Sequence, residues 1–445
     1  MRRASRGFLR RLPRDGRMAG EMRNALARVR TSAATHNRSV TRLYGWAVLV
    51  RVLVGFLAYA LTLYADLPIV EDARFYEEIG YEVAQDWLSG KAVDFDALPE
   101  GVQTARLLVT AIAAFYFVMG GTRALPVLIV TFSMVTAFVP IYVYWFTREL
   151  DAPEAVARGA GWLVSLSPAF VFWSGSLYKE GLTLLLLSVA AYHTLRLQSG
   201  WKGRSVSAVA LCVVAFWGVR FYLAILLALA VALSLLWGRK PRAGQPRGLP
   251  VFVRQAAVVA AFAVVIISVG LTVRTERVLL ESDEGVLVNL DVRRAGSARE
   301  AQSGYLQEAS VATPEEALQY FPLGLLYFLT VPFPWQLGAF RQNVIIPENV
   351  FWLGLYPLMV VGFRRALKSN RQGTVFLLLM TVGMCVVYAL LAANVGTAYR
   401  MRSQVWLLWA PFAAWGWEVW REHRRPTGQT RLARRGPRAV GAGSR

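Results

Sequence analysis

Glu71 and Asp72 open the stretch Glu71-Asp-Ala-Arg-Phe-Tyr76, which follows a long uncharged run ending near residue 64. Two adjacent carboxylates just beyond an apolar segment have two chemical uses. One of them can take the proton of an attacking hydroxyl as a general base, or the pair can hold a hard cation such as Mg²⁺ or Mn²⁺. Basic residues occupy equally unusual places. Lys179 precedes Glu180, Arg220 interrupts the apolar Trp217-Gly-Val-Arg-Phe-Tyr222, and Arg400 and Arg402 follow Asn394-Val-Gly-Thr-Ala-Tyr399. A charge at the centre of a membrane helix costs at least ~2.5–3.5 kcal/mol, so such residues face a cavity, an interface or a partner. Arginine in that position suits a phosphate, which its planar fork grips through two donors. Arg341 and Glu348 lie beyond Pro332-Phe-Pro-Trp335, where two prolines break a helix and Trp335 can wall a groove.

The elements that carry these residues are set by composition. Of 445 residues, 56% are apolar and 17% charged, with a mean hydropathy of +0.40, whereas soluble domains carry about 25% charged residues. The uncharged runs Leu125–Thr147, Gln255–Val273, Leu318–Phe340 and Thr374–Tyr399 reach or approach the ~20 residues that cross a bilayer. The net charge of +21 is concentrated at the ends. Met1–Leu43 holds twelve arginines against Asp15 and Glu21, and the segment from Arg421 holds eight against Glu422. Both read as basic cytoplasmic tails that face anionic lipid. No folded, aromatic-interleaved module accompanies them, which argues against nucleic acid as a partner. Cys212 and Cys385 stand alone in apolar runs without a CxxC, and only three histidines occur, so neither a disulfide scaffold nor a histidine metal site is expected.

The expected fold is therefore an all-α, polytopic transmembrane bundle over residues 44–420, flanked by tails 1–43 and 421–445. Ten crossings are placed near 45–64, 125–147, 156–173, 180–197, 205–219, 221–237, 251–273, 349–363, 374–395 and 403–420. This arrangement puts the basic connections, and both termini, on the cytoplasmic side of the plasma membrane. The apolar stretches 104–120 and 318–340 break the alternation, so they read as juxtamembrane or re-entrant elements. Two external segments remain, 65–103 and 274–317. In the first, Phe75, Ile79, Val83 and Trp87 recur every four residues among acidic neighbours. That spacing predicts an amphipathic helix, lying on the membrane surface or on the top of the bundle.

Asp72-Ala-Arg-Phe-Tyr76 resembles the Asp-x-x-x-Tyr motif in the first external loop of the GT-C integral membrane glycosyltransferases, the glycosyltransferase family 39 group with protein O-mannosyltransferases and aminoarabinose transferases. Ser167-Pro-Ala-Phe-Val-Phe-Trp-Ser-Gly-Ser-Leu-Tyr-Lys-Glu180 is similar to a later Pro…Ser…acidic stretch in that group, with Glu180 in the acidic place. The similarity is clearest over 45–200. The resemblance implies inverting transfer of a sugar from a polyprenyl-phosphate donor to a glycan, lipid or protein acceptor at the outer membrane face. It makes Asp72 the base, with Glu71 beside it. Arg220, Arg400, Arg402 and Lys179 become candidates to bind the donor phosphate, while Tyr76, Glu180, Arg341 and Trp335 line the substrate pocket. No cofactor is implied with certainty, and the need for Mg²⁺ or Mn²⁺ stays open.

Two other functions compete. A polymerase or ligase acting on polyprenyl-diphosphate-linked glycans would use the outward arginines without needing the early carboxylates. A transporter of lipid-linked glycan would carry paired halves with broken helices at matching positions, and none is evident. Walker, Rossmann, HExxH and nucleophile-elbow motifs are absent from the sequence.

Overall fold

The computed structural model describes residues 16–65, 67, 69–200, 202–236, 256, 286–333, 335 and 340–424. Among them the chain forms sixteen helices and no strand beyond an isolated bridge between Gly304 and Asn394. In order these are α1 (Gly16–Tyr64), α2 (Glu71–Leu88), α3 (Glu100–Gln103), α4 (Arg106–Val118), α5 (Leu125–Thr136), α6 (Val139–Glu149), α7 (Glu154–Leu166) and α8 (Pro168–Gly175). There follow α9 (Lys179–Ser199), α10 (Gly203–Trp217), α11 (Phe221–Leu236), α12 (Val286–Glu300), α13 (Pro314–Thr330), α14 (Phe340–Ser369), α15 (Arg371–Leu391) and α16 (Val395–Arg424).

Four stretches are long and apolar enough to cross a membrane: Arg38–Tyr64, Leu125–Glu149, Asn343–Ser369 and Arg371–Leu391. A fifth arises if α7 and α8, bent by 59° at Ser167-Pro168, count as one span. These five coincide with the expected crossings 45–64, 125–147, 349–363, 374–395 and 156–173. The segments 180–197, 205–219, 221–237 and 403–420 are helical as α9, α10, α11 and α16. Of these, α10 and α11 are short, while α9 and α16 carry charges such as Glu180, Arg196, Arg400 and Arg402. The segment 251–273 lies outside the described residues, as do 274–285 of the second external segment. Large side chains face outward along the bundle, including Leu49, Leu53 and Leu57 on α1 and Leu211 on α10. Such a surface belongs against lipid.

Close helix crossings depend on residues without side chains. A Cβ on Gly362 of α14 would stand 1.9 Å from the Phe412 carbonyl oxygen of α16, and one on Gly416 would stand 1.9 Å from that of Leu358. Gly55 of α1 and Gly175 of α8 meet in the same way, 2.4 Å and 2.5 Å from carbonyl oxygens of Gly175 and Arg51. Such close backbone contact is how small residues hold membrane helices together.

α1 begins at Gly16, within the basic segment 1–43, and runs unbroken into the membrane stretch. The amphipathic helix expected in the first external segment is present as α2, and the described part of the second contains α12. One expectation changes, the inward face of α2. In α2 the buried face is Ala73, Tyr76, Glu77, Gly80, Val83 and Ala84, turned by roughly one residue from the expected Phe75-Ile79-Val83-Trp87 stripe. Glu77 causes the rotation. Its carboxylate is buried, bound by Arg123 through Nε at 3.0 Å and Nη2 at 2.5 Å, and by the Tyr116 hydroxyl at 2.5 Å. Gly80 then sits directly on Ile112 of α4, while Phe75 turns out to the surface.

Candidate functional site

One end of the bundle collects the C-termini of α1 and α10, the N-termini of α2, α9, α11 and α16, and the connections between them. Backbone and side-chain bonds tie it together: Leu107 N–H to the Gly218 carbonyl at 2.9 Å, the Tyr178 hydroxyl to the Ile69 carbonyl at 3.0 Å, and Val395 N–H to the Ser303 carbonyl at 3.2 Å. The opposite end joins α6, α14 and α15, where Asn370 donates to the Glu149 carbonyl at 2.8 Å and Arg196 pairs with Glu149 at 3.8 Å.

Four charged side chains form a string at the first end. Arg400 Nη1 donates to Asp72 Oδ2 at 3.0 Å, and its Nε lies 4.0 Å from Glu180 Oε1. Arg220 Nη2 donates to the same Glu180 oxygen at 2.5 Å, while its Nη1 donates to the Tyr222 hydroxyl at 2.6 Å. The string runs inward from the surface. The Asp72 side chain is 47% exposed, Arg400 26%, Arg220 9% and Glu180 0%. Glu180 survives without solvent because two guanidiniums flank it and because it lies in the first turn of α9, where the helix dipole favours an anion. Lys179 stands beside it, with Nζ donating to Thr104 Oγ1 at 2.8 Å.

Local sequence explains the placement. Asp72 and Tyr76 are one turn apart on α2 and so share a face. Burial and the nearby Glu180 and Asp72 carboxylates push the Tyr76 phenol above its ordinary range. Between α8 and α9, buried Leu177 adopts φ +55°, a left-handed conformation costly for leucine. It lies in the short connection 176–178 that delivers Lys179 and Glu180 to the site. The Arg400 guanidinium lies over the Trp173 ring at 5.3 Å and the Tyr178 ring at 5.5 Å, a cation–π clamp that fixes its direction.

The set contains three cations (Lys179, Arg220 and Arg400) against two carboxylates (Asp72 and Glu180). Burial, followed by the Arg220 charge, pulls the Lys179 ammonium down to about 8. Glu180 Oε2, Arg220 Nε and Arg400 Nε are buried without a hydrogen-bond partner in the protein. A site with surplus positive charge and unsatisfied donors is chemically suited to an anion, with Asp72 at its open rim. Among the described residues no three His, Cys, Asp or Glu side chains gather to hold one metal ion.

Other expected residues lie elsewhere. Glu71 is exposed at the start of α2. Arg402 is turned away from Asp72, Glu180 and Arg220: its Nη2 donates to the Val331 carbonyl and its guanidinium lies over Trp406 at 5.0 Å. Residues two apart on a helix point about 200° apart, so Arg400 and Arg402 cannot both face one phosphate. Trp335 is 77% exposed and stacks on Phe333 with centroids 5.1 Å apart. The Arg341 side chain lies outside the described residues.

The sequence reading missed Arg51 altogether and noted Glu348 only for its place beyond Pro332-Phe-Pro-Trp335. Arg51, midway along the first membrane stretch, is fully buried and donates only to the Ala47 carbonyl at 3.2 Å; its isolation in an uncharged run was the available signal. Glu348 is buried among donors from three helices. No family model matches this sequence, and no curated protein matches it.

Proposed function

We propose that this protein is an inverting glycosyltransferase of the plasma membrane that takes its sugar from a polyprenyl-phosphate donor. The supporting observation is the charged string at one end of the bundle: Asp72 on the accessible rim, and Arg220, Arg400 and Lys179 together outnumbering two carboxylates. The donor phosphate takes the surplus positive charge, with Arg400 and Arg220 as its principal ligands. The acceptor hydroxyl attacks the anomeric carbon from the opposite face. As that bond forms, the bond between anomeric carbon and phosphate oxygen breaks, and its electron pair leaves with the polyprenyl phosphate. The acceptor proton passes to the Asp72 carboxylate, an assistance typically worth 10²–10⁴-fold. The leaving phosphate is already anionic, so fixed cations serve it better than a proton donor.

In this reading the chain makes ten crossings with both termini cytoplasmic. The end opposite the string then meets the cytoplasm with Arg148, Arg158, Arg196, Arg364, Arg365, Lys368 and Arg371, as the positive-inside bias requires. The acceptor is a glycan, lipid or protein of the cell envelope. The test is incubation of purified protein with radiolabelled polyprenyl-phosphate sugars and envelope extracts. One added sugar per acceptor supports the proposal, and a ladder of repeats supports the polymerase alternative. Failure of every donor to react or bind rejects both.

A further inference from the structure

Glu348 is a carboxylate inside a membrane-length helix that forms no ion pair among the described residues, yet its oxygens are crowded with donors. The Ser167 hydroxyl donates to Oε1. Ala169 N–H, in the first turn of α8, donates to both oxygens at 3.1 and 2.9 Å. Trp352 Nε1 reaches Oε1 at 3.3 Å, and the Tyr399 hydroxyl donates to Oε2. One side chain of α14 thus holds the break between α7 and α8 and the first turns of α16. The residues it grips sit next to the charged string. Trp173 follows Ala169 by one helical turn, Arg400 follows Tyr399 directly, and Trp173 is one of the two rings that clamp Arg400.

We infer that Glu348 is a positioning residue, a buried latch that fixes α8 against α16 and thereby sets Arg400 and Trp173 at the anion site. Its chemistry is specific to a carboxylate. Donors approach both oxygens, so glutamine, which has the same shape, must present its amide N–H₂ to at least one of them. The ends of α8 and α16 then separate, and Arg400 loses its fixed direction. The positional part stands on the hydrogen bonds alone, while the consequence for ligand binding rests on the donor reading proposed above.

The experiment compares wild type, Glu348→Gln, Tyr399→Phe, Arg400→Lys and the double variant Glu348→Gln/Arg400→Lys, all purified in detergent. Hydrogen exchange is followed by mass spectrometry, and binding is measured with decaprenyl phosphate as probe. Glu348→Gln is expected to speed exchange in residues 168–180 and 395–403 alone and to weaken probe binding about tenfold. Tyr399→Phe, which removes a single donor, shows a smaller change in the same two segments. The double variant binds no worse than Arg400→Lys, because both changes disable one device. Unchanged exchange in those segments, exchange raised throughout the chain, or losses that multiply in the double variant overturn the latch. Should wild type fail to bind decaprenyl phosphate, the donor reading falls and the exchange pattern alone decides the latch.

Discussion

Arg400 and Arg402 offer a sharp contrast, since they are two residues apart and chemically identical. Replacing Arg400 by Gln removes the bond to Asp72 at 3.0 Å, the charge 4.0 Å from Glu180, and the stack on Trp173. It also leaves Lys179 and Arg220 to balance Asp72 and Glu180, so the surplus charge for a phosphate disappears. A hydrogen bond to a charged group contributes roughly 1.5–3 kcal/mol. Arg400 keeps 26% of its side chain in solvent, which places the loss at about 2 kcal/mol, or roughly 30-fold in donor affinity. Arg402→Gln instead removes a bond to the Val331 backbone and a stack on Trp406. It should lower Tm while changing donor affinity by less than about threefold. Equilibrium binding of labelled decaprenyl phosphate, with melting curves of the same samples, reads both effects. If Arg402→Gln weakens binding as much as Arg400→Gln, the assignment of the phosphate to the Arg400 face is wrong.

Three further outcomes follow from the geometry. Lys179 is held at about 8 by burial and by Arg220, so its charge, present at neutral pH, is lost as pH rises through that value. Donor affinity should fall over the same interval, and Lys179→Arg, which does not titrate there, should flatten the profile. Arg123→Ala strands the buried Glu77 carboxylate with the Tyr116 hydroxyl as its remaining partner; a loss of about 2 kcal/mol is expected, read as faster exchange across α2 and α4. Gly416→Val drives a side chain into the Leu358 carbonyl, and Tm should drop well beyond the effect of Gly45→Ala, whose Cβ meets nothing within 4 Å.

The sequence exposes the charged string because each member violates its surroundings. Glu180 and Arg220 are charges at the edges of apolar helices, and Arg400 ends the uncharged run Thr374–Tyr399. Distance along the chain hides the pairing: Asp72 and Arg400 are 328 residues apart and meet only through the fold. Arg402 looks equivalent to Arg400 in the sequence, and only helical rotation separates them. The stripe in α2 misleads for a related reason. Periodicity identifies the helix, but Arg123 and Tyr116, far along the chain, bury Glu77 and decide which face turns inward. Glu348 was invisible as a latch because its donors come from α8, α14 and α16. A lone acidic residue between apolar segments carries no mark of which helices it will bridge.

The central claim is that Asp72 accepts the acceptor proton at a site whose cations hold the donor. Asp72→Asn preserves size and hydrogen bonding while removing the base. With a labelled polyprenyl-phosphate sugar that wild type turns over, the account predicts that this variant still binds the donor and slows transfer by 10²–10⁴-fold. Transfer by Asp72→Asn at the wild-type rate would contradict it.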